Sequence, residues 1–255
     1  MAEFLSAEVA EFFPQVFLFL IGVAVGVINV TAGGGSALTL PVLIFLGLDG
    51  GEANGTNRLS ILIQNISASA SFSKERVADL RHSLKLSLLT LPGMVCGVFA
   101  AVTIDDEMFK KIVAIAIMVV AASMFLPSLK AGGEARGKRG WLIYPGLVAA
   151  GFYGGFIQVG VGLVIMALLF HLVGGSIASV NARKIFIVLI YTIPAVCIFF
   201  YFGDVDILKG LNLAAGSALG GWWGAKLSVR KGAKAVRYFL VVAIVLSGLK
   251  LLGFL

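Results

Sequence analysis

Between Phe13 and Leu255 the sequence returns repeatedly to apolar runs long enough to span hydrocarbon, separated only by short polar or glycine-rich breaks. Such a chain has few folds open to it. In lipid every backbone N–H and C=O must be satisfied within the protein, which leaves helices or a closed barrel. Barrel strands alternate in polarity, and runs such as residues 112–126 (IVAIAIMVVAASMFL) do not. Composition agrees: 59% of residues are hydrophobic and 13% charged, against about a quarter charged in soluble domains. The expectation is an all-α, polytopic membrane protein with no separate soluble domain.

The amino-terminal MAEFLSAEVAEFF carries three Glu and no Lys or Arg, so it reads as a retained tail and not as a cleaved signal. Cys96 and Cys197 lie within apolar runs and read as small buried hydrophobes. The formal charge is +7, but the 20 Lys and Arg are scattered over short connections, so they report topology and not nucleic-acid binding.

Breaking the chain at polar and glycine-rich points yields ten apolar segments: 14–31, 35–48, 58–73, 84–104, 109–127, 141–159, 162–175, 184–203, 207–227 and 236–254. The second and seventh are short for a span and follow glycine clusters, Gly33-Gly34-Gly35 and Gly160/Gly162. If each short segment crosses with its predecessor as one span, the basic residues divide evenly between the two sides. If each pair returns to its starting side, the connections 74–85, 129–140, 175–184 and 226–237 share one side and hold fifteen of the twenty. The positive-inside rule selects the second arrangement, with both termini outside the cytoplasm. Each half then crosses an odd number of times, so two tandem halves insert upside down relative to each other.

The halves overlay with a shift of 127, which sets Gly33 on Gly160 and Gly35 on Gly162. After one deletion, Gly55-Thr56-Asn57-Arg58 falls on Asn181-Ala182-Arg183-Lys184. The common order is a glycine-broken apolar pair, a polar turn, and a cation opening the next helix. Two inverted repeats are therefore expected, 1–128 and 141–255, each a glycine-broken helical pair, either a re-entrant hairpin or two full spans, followed by three transmembrane helices, joined by a cytoplasmic linker at 129–140. In such architectures the binding site lies at the repeat interface near mid-membrane.

These residues resemble the TauE/SafE sulfite exporter family, also called the 4-toluene sulfonate uptake permease family. The resemblance rests on Gly26–Pro41 (GVINVTAGGGSALTLP), the Ala53–Arg58 turn (ANGTNR), Gly160–Gly162 and Asn181–Lys184, and it extends over nearly the whole chain. It implies transport of sulfite, sulfonates or related sulfur-containing anions. Arg183 departs from the family pattern, in which a small polar residue often stands there.

An anion site in a membrane needs donors and positive potential, and helix N-termini opened at glycine turns provide both. Gly33, Gly34, Gly35, Ser36, Gly160 and Gly162 fit that requirement, although glycines also serve close helix packing. Arg58, flanked by Asn54, Thr56 and Asn57, and the Asn181/Arg183 region of the second half are the cationic candidates, since Arg grips a sulfonate or sulfite with two prongs. Lys184 reads instead as a snorkelling interfacial residue. Asn29, Thr31, Gln64, Asn65 and Gln158 are uncharged polar residues within spans and mark a cavity lining.

No metal site or cofactor is expected. All thirteen Asp and Glu lie in the amino-terminal tail or the connections, with Asp49, Glu52 and His171 closest to a span. That pattern favours uncoupled anion movement, since efflux from a negative cell interior gains about 2.3 kcal/mol per charge per 100 mV. The expected partners are a small anion and the lipid of a cell inner membrane, and a homodimer is compatible with the pattern. Two other classes remain: an intramembrane hydrolase with Ser36 as nucleophile and His171 as base, and a scaffold subunit of a membrane complex. No third orienting residue supports the first, and a scaffold has no need of broken helices.

Overall fold

The computed structural model describes residues 2–31, 33–74, 80–123 and 140–230, with side chains from Pro14 onward. These residues form helices α1 (Ala2–Thr31), α2 (Ser36–Phe45), α3 (Gly50–Lys74), α4 (Leu80–Thr103), α5 (Asp106–Ser123), α6 (Ile143–Phe156), α7 (Val161–Leu172), α8 (Ile177–Phe202) and α9 (Ile207–Arg230), with a 3₁₀ turn at Gly140–Leu142. There is no strand among the described residues. The tenth apolar segment, 236–254, and the linker up to residue 139 lie outside them. Stretches of α1, α4 and α8 are long and apolar enough to cross a membrane, and α2 and α7 are shorter apolar helices.

A polar seam runs through a largely apolar interior, and large apolar side chains also cover the outer surface. The buried face of α3 carries Asn54, Thr56, Asn57, Arg58, Ser60, Gln64 and Asn65, whereas Leu20, Leu88, Phe99, Ile115, Val119 and Phe152 face outward. A hydrocarbon surround favours so much exposed apolar surface. Cys96 and Cys197 belong to this outer surface, which corrects their reading as buried residues. They lie on the outward faces of α4 and α8, where a small apolar thiol suits lipid as well as it suits a core.

Glycine ladders set how the helices run. Gly216, Gly220 and Gly224 of α9 meet Phe19, Val23 and Val27 of α1 in the same order, so the two helices are parallel. Gly93 and Gly97 of α4 meet Val148 and Phe152 of α6 in the same way. The first helix of each half is thus clasped by the fourth helix of the other. Gly55 near the start of α3 abuts Phe199 and Asp204 at the end of α8, and Ala68 and Phe72 near its end cluster with Ala182 and Ile185, so α3 and α8 are antiparallel.

One end of the bundle is acidic: Asp49, Glu52, Asp106 and Asp204 line a cavity of about 330 Å³ there. At the other end Lys74 and Lys226 stand over the Trp222 ring at 4.8 and 5.4 Å. α1 approaches from the acidic end, turns at Gly33, and α2 leads back to Asp49. α6 approaches from the opposite end, turns at Gly160, and α7 leads back to Gly174. Each broken pair returns to the end from which it came.

Two element boundaries differ from the sequence expectation for one reason, that polar residues were read as turns. Ala53–Arg58 lies within α3, which begins at Gly50, and Asn181–Lys184 lies within α8, which begins at Ile177 behind an N-cap in which Ser176 Oγ accepts from Ser179 N at 3.2 Å. Neither cation opens its helix; each sits about two turns inside. The amino-terminal tail is likewise helical from Ala2. The polar side chains tolerate helix because they bond other elements: Asn54 Nδ2 donates to Phe156 O at 2.9 Å and Thr39 Oγ1 donates to Asn57 Oδ1 at 2.6 Å.

Candidate functional site

The two glycine turns meet each other in the middle of the bundle. Gly33 has φ +84° and Gly160 φ +68°, left-handed conformations that cost a Cβ-bearing residue about 1–2 kcal/mol. A Cβ on Gly33 would lie 2.7 Å from the Gly162 carbonyl carbon, and one on Gly162 would lie 2.8 Å from Gly33 Cα. Only glycines let the tips touch. Val120 of α5 packs under both turns, 3.5 Å from a Cβ built on Gly34 and closer still to one on Gly160.

Each tip is braced by side chains. Asn29 Oδ1 accepts from Gly35 N at 2.7 Å while its Nδ2 donates to Gln64 Oε1 at 3.2 Å. In the second tip Gln158 has φ 64°, the one positive φ outside glycine among the described residues. Its Oε1 accepts from Arg58 Nη1 and from Tyr191 Oη, both at 3.2 Å. That leaves the Gln158 amide NH₂ for the space between the tips.

The two buried cations are exchanged between the halves. Arg58, 0% exposed, donates from Nη1 to Gly154 O at 2.9 Å and from Nη2 to Gly155 O, capping the end of α6. Lys184, 1% exposed, donates from Nζ to Asn29 O at 3.1 Å and Val30 O at 2.9 Å, capping the end of α1, and to Asn181 Oδ1 at 3.1 Å. Lys184 is therefore no snorkelling residue. Arg183 takes the peripheral part instead, half-buried and donating to Gly174 O at 3.1 Å. Arg58 also lies 4.8 Å from the Phe199 ring centroid.

The ion pairs among the described residues are Lys110–Asp106, Lys111–Glu107 and Lys209–Asp206, and none neutralises Arg58 or Lys184. Helix ends carry roughly half a charge each. The negative ends of α1 and α6 and the positive ends of α2 and α7 approximately cancel, which leaves about two positive charges in the centre. Gly35 and Gly160 provide no side-chain cap for the first turns of α2 and α7, whose Ala37, Leu38 and Leu163 N–H groups are taken by the carbonyls of Gly34, Gly35 and Gly160.

A small cavity of about 20 Å³ lies there, lined from both halves by Asn29, Gly33, Ser36, Gln64, Asn65, Gln158, Gly162 and Lys184, with Ile61, Val161, Ile185 and Val188 as its apolar wall. It has room for about one water. Asn65 Nδ2 lines it with no hydrogen-bond partner, and Asn57 Nδ2 and Arg58 Nε are also buried without one. The region is rich in unused donors, as an anion requires.

Of the residues singled out from sequence, Asn29, Gly33, Ser36, Gln64, Asn65, Gln158 and Gly162 line this cavity directly. Gly34, Gly35 and Gly160 form its turns, and Arg58 and Asn181 stand one layer behind, on Gln158 and Lys184. Thr31 bonds back to Val27 O at 2.8 Å, Thr56 Oγ1 accepts from Asp206 N at 2.9 Å, and Asn54 holds α6, so these three serve packing. Asn57 is tied to Thr39. Tyr191 was missed; its signal is its place seven residues beyond Lys184, matching Asn65 beyond Arg58. His171 is exposed in the last turn of α7 and is not among the residues that line the cavity beside Ser36, which removes the Ser36–His171 pair.

Comparison with known proteins agrees with this architecture. Residues 18–251 match the family model described as sulfite exporter TauE/SafE. A probable membrane transporter protein of Haemophilus influenzae is 29% identical over 88% of this chain and 89% of its own length. The probable membrane transporter proteins ORF9 of Sinorhizobium and YfcA of Escherichia coli K12 are each 27% identical, over 93% and 92% of this chain and 92% and 88% of theirs. No solved structure matches. The chain belongs to the TauE/SafE sulfite exporter family and is a multi-pass membrane transporter, not an enzyme.

Proposed function

We propose that the protein carries a small sulfur oxyanion, sulfite or a sulfonate, through the cavity at which the two glycine turns meet. The observation that supports this most is the pair of buried cations, Arg58 and Lys184, surrounding a donor-rich cavity with no described carboxylate against them. Uncompensated charge at depth is costly, and binding an anion there offsets the cost.

The same reading takes residues 1–128 and 141–255 as inverted repeats. The exchange of clasping helices, the antiparallel α3 and α8, and hairpins entering from opposite ends all support it. With the basic connections cytoplasmic in a cell inner membrane, both termini lie outside and the acidic cavity opens outward. The central cavity, at about 20 Å³, is smaller than a sulfur oxyanion needs, so loading requires the tips to part. Alternating access by movement of one broken hairpin against the other meets that requirement.

The test is flux of labelled sulfite and of a small sulfonate in liposomes holding purified wild type or Arg58→Ala. Anion flux with the wild type and its loss in the variant is the expected outcome. Failure of the wild type to move either anion, or equal flux of a cation of similar size, would overturn the assignment.

A further inference from the structure

We infer that Lys184 is a proton-carrying group of this transporter, so that the anion moves together with a proton; this rests on the anion reading above. The inference begins with an asymmetry. The two halves place a cation at equivalent positions, and each cation ties its helix to the broken tip of the other half. One is Arg58, which keeps its charge at any accessible pH. The other is Lys184, which can release its proton when desolvated.

The surroundings make that difference matter. Among the described residues, Lys184 is the only titratable side chain lining the central cavity. From α1 it meets the Asn29 and Val30 carbonyls, and from its own helix the Asn181 amide oxygen. The groups facing the cavity from α2, α3 and the α6–α7 turn are Ser36, Gln64, Asn65 and Gln158, all uncharged. Arg183, its neighbour, is turned away to Gly174. No other described group on the cavity wall exchanges a proton in the physiological range.

Three acceptors match the three N–H bonds of an ammonium. A neutral amine has two N–H bonds and a lone pair, so deprotonation releases one of the three acceptors. It thereby loosens the tie between α8 and the end of α1 and removes half of the positive charge that holds the anion. Arg58 keeps the opposite tie closed throughout. The three-acceptor arrangement is that of the protonated carrier; the anion and the proton leave together on the far side, and the neutral amine that remains takes up a proton again with the next anion. The sequence has no mid-span carboxylate for this task, and a lysine replaces it.

The experiment uses a small sulfonate, whose charge does not change between pH 5 and 9, in proteoliposomes with an internal pH dye. Wild type is expected to move about one proton per sulfonate and to accumulate sulfonate on a pH gradient with the membrane potential clamped at zero. Sulfonate flux with no accompanying proton would overturn the inference while leaving anion transport standing; absence of any flux would instead defeat the anion reading on which it rests. Calorimetric binding in two buffers of different ionisation enthalpy gives a second readout. Sulfonate binding should take up a proton in wild type and none in Lys184→Arg, and unchanged uptake in that variant would also overturn it. If Lys184→Arg does not fold, Asn181→Leu serves, because losing an acceptor for the ammonium shifts the pH midpoint of proton uptake downward by about one unit. An unmoved midpoint there counts against Lys184.

Discussion

Gly162→Ala tests whether the two turns touch in the membrane. The added Cβ would lie 2.8 Å from Gly33 Cα and 3.0 Å from Gly33 O, where ordinary contacts begin at 3.4 Å. Both obstructing atoms are backbone, so no side chain can rotate away, and the tips must separate by roughly half an ångström or more. Overpacking of this kind costs roughly 1–3 kcal/mol. If the closed cavity is one state of the cycle, that cost falls on the closed state and shifts its equilibrium by about 5- to 150-fold. Thermal unfolding in detergent and sulfonate flux in liposomes are the assays, with Gly51→Ala as control. A Cβ at Gly51 would find its nearest neighbour, Asp204, at 3.8 Å, so that variant should be within about 0.5 kcal/mol of wild type. If Gly162→Ala proves as stable and as active as Gly51→Ala, the tips are apart in the working protein and the central cavity is not where they meet.

Arg58→Gln should lower the unfolding midpoint, since it strands the Gly154 and Gly155 carbonyls at about 1–3 kcal/mol each, whereas Arg58→Lys should retain much of the stability by capping two adjacent carbonyls as Lys184 does. Gln158→Gly should be more stable than Gln158→Ala by about 1 kcal/mol, because both lose the bonds to Arg58 and Tyr191 but only alanine keeps the strain of φ 64°; equal melting temperatures would show that the strain is absent. Burial works against ionisation of Asp206, but Lys209 and backbone N–H groups outweigh it and hold the carboxyl below its ordinary 3.8. Its contribution to stability is therefore complete above pH 3.8 and is lost as the pH falls through the lowered value, and Asp206→Asn should flatten that acid limb of the melting curve.

The membrane class and the glycine turns were legible in the sequence because each is a local pattern. Hydrocarbon demands long apolar runs, and Gly33, Gly160 and Gly162 are dense enough to be seen one by one. The charge count along the chain could also separate pairs that return to their starting side from pairs that cross once, since the positive-inside rule acts on connections and needs no contacts. What local pattern misread was the polar stretch of α3. Asn54 to Arg58 resemble a turn in isolation, yet they are helical because the end of α6, the start of α9 and α2 supply their partners.

The assignment of the two cations lay further out of reach. Arg183 and Lys184 are consecutive, and on a helix neighbours point about 100° apart, so one of them had to face the core and the other had to leave it. The sequence by itself determined that a cation pair stood at that position and that the chain spans a membrane. Only the tertiary structure decided that Lys184 turns inward onto the end of α1, because its three acceptors, Asn29, Val30 and Asn181, are brought together by packing one half against the other.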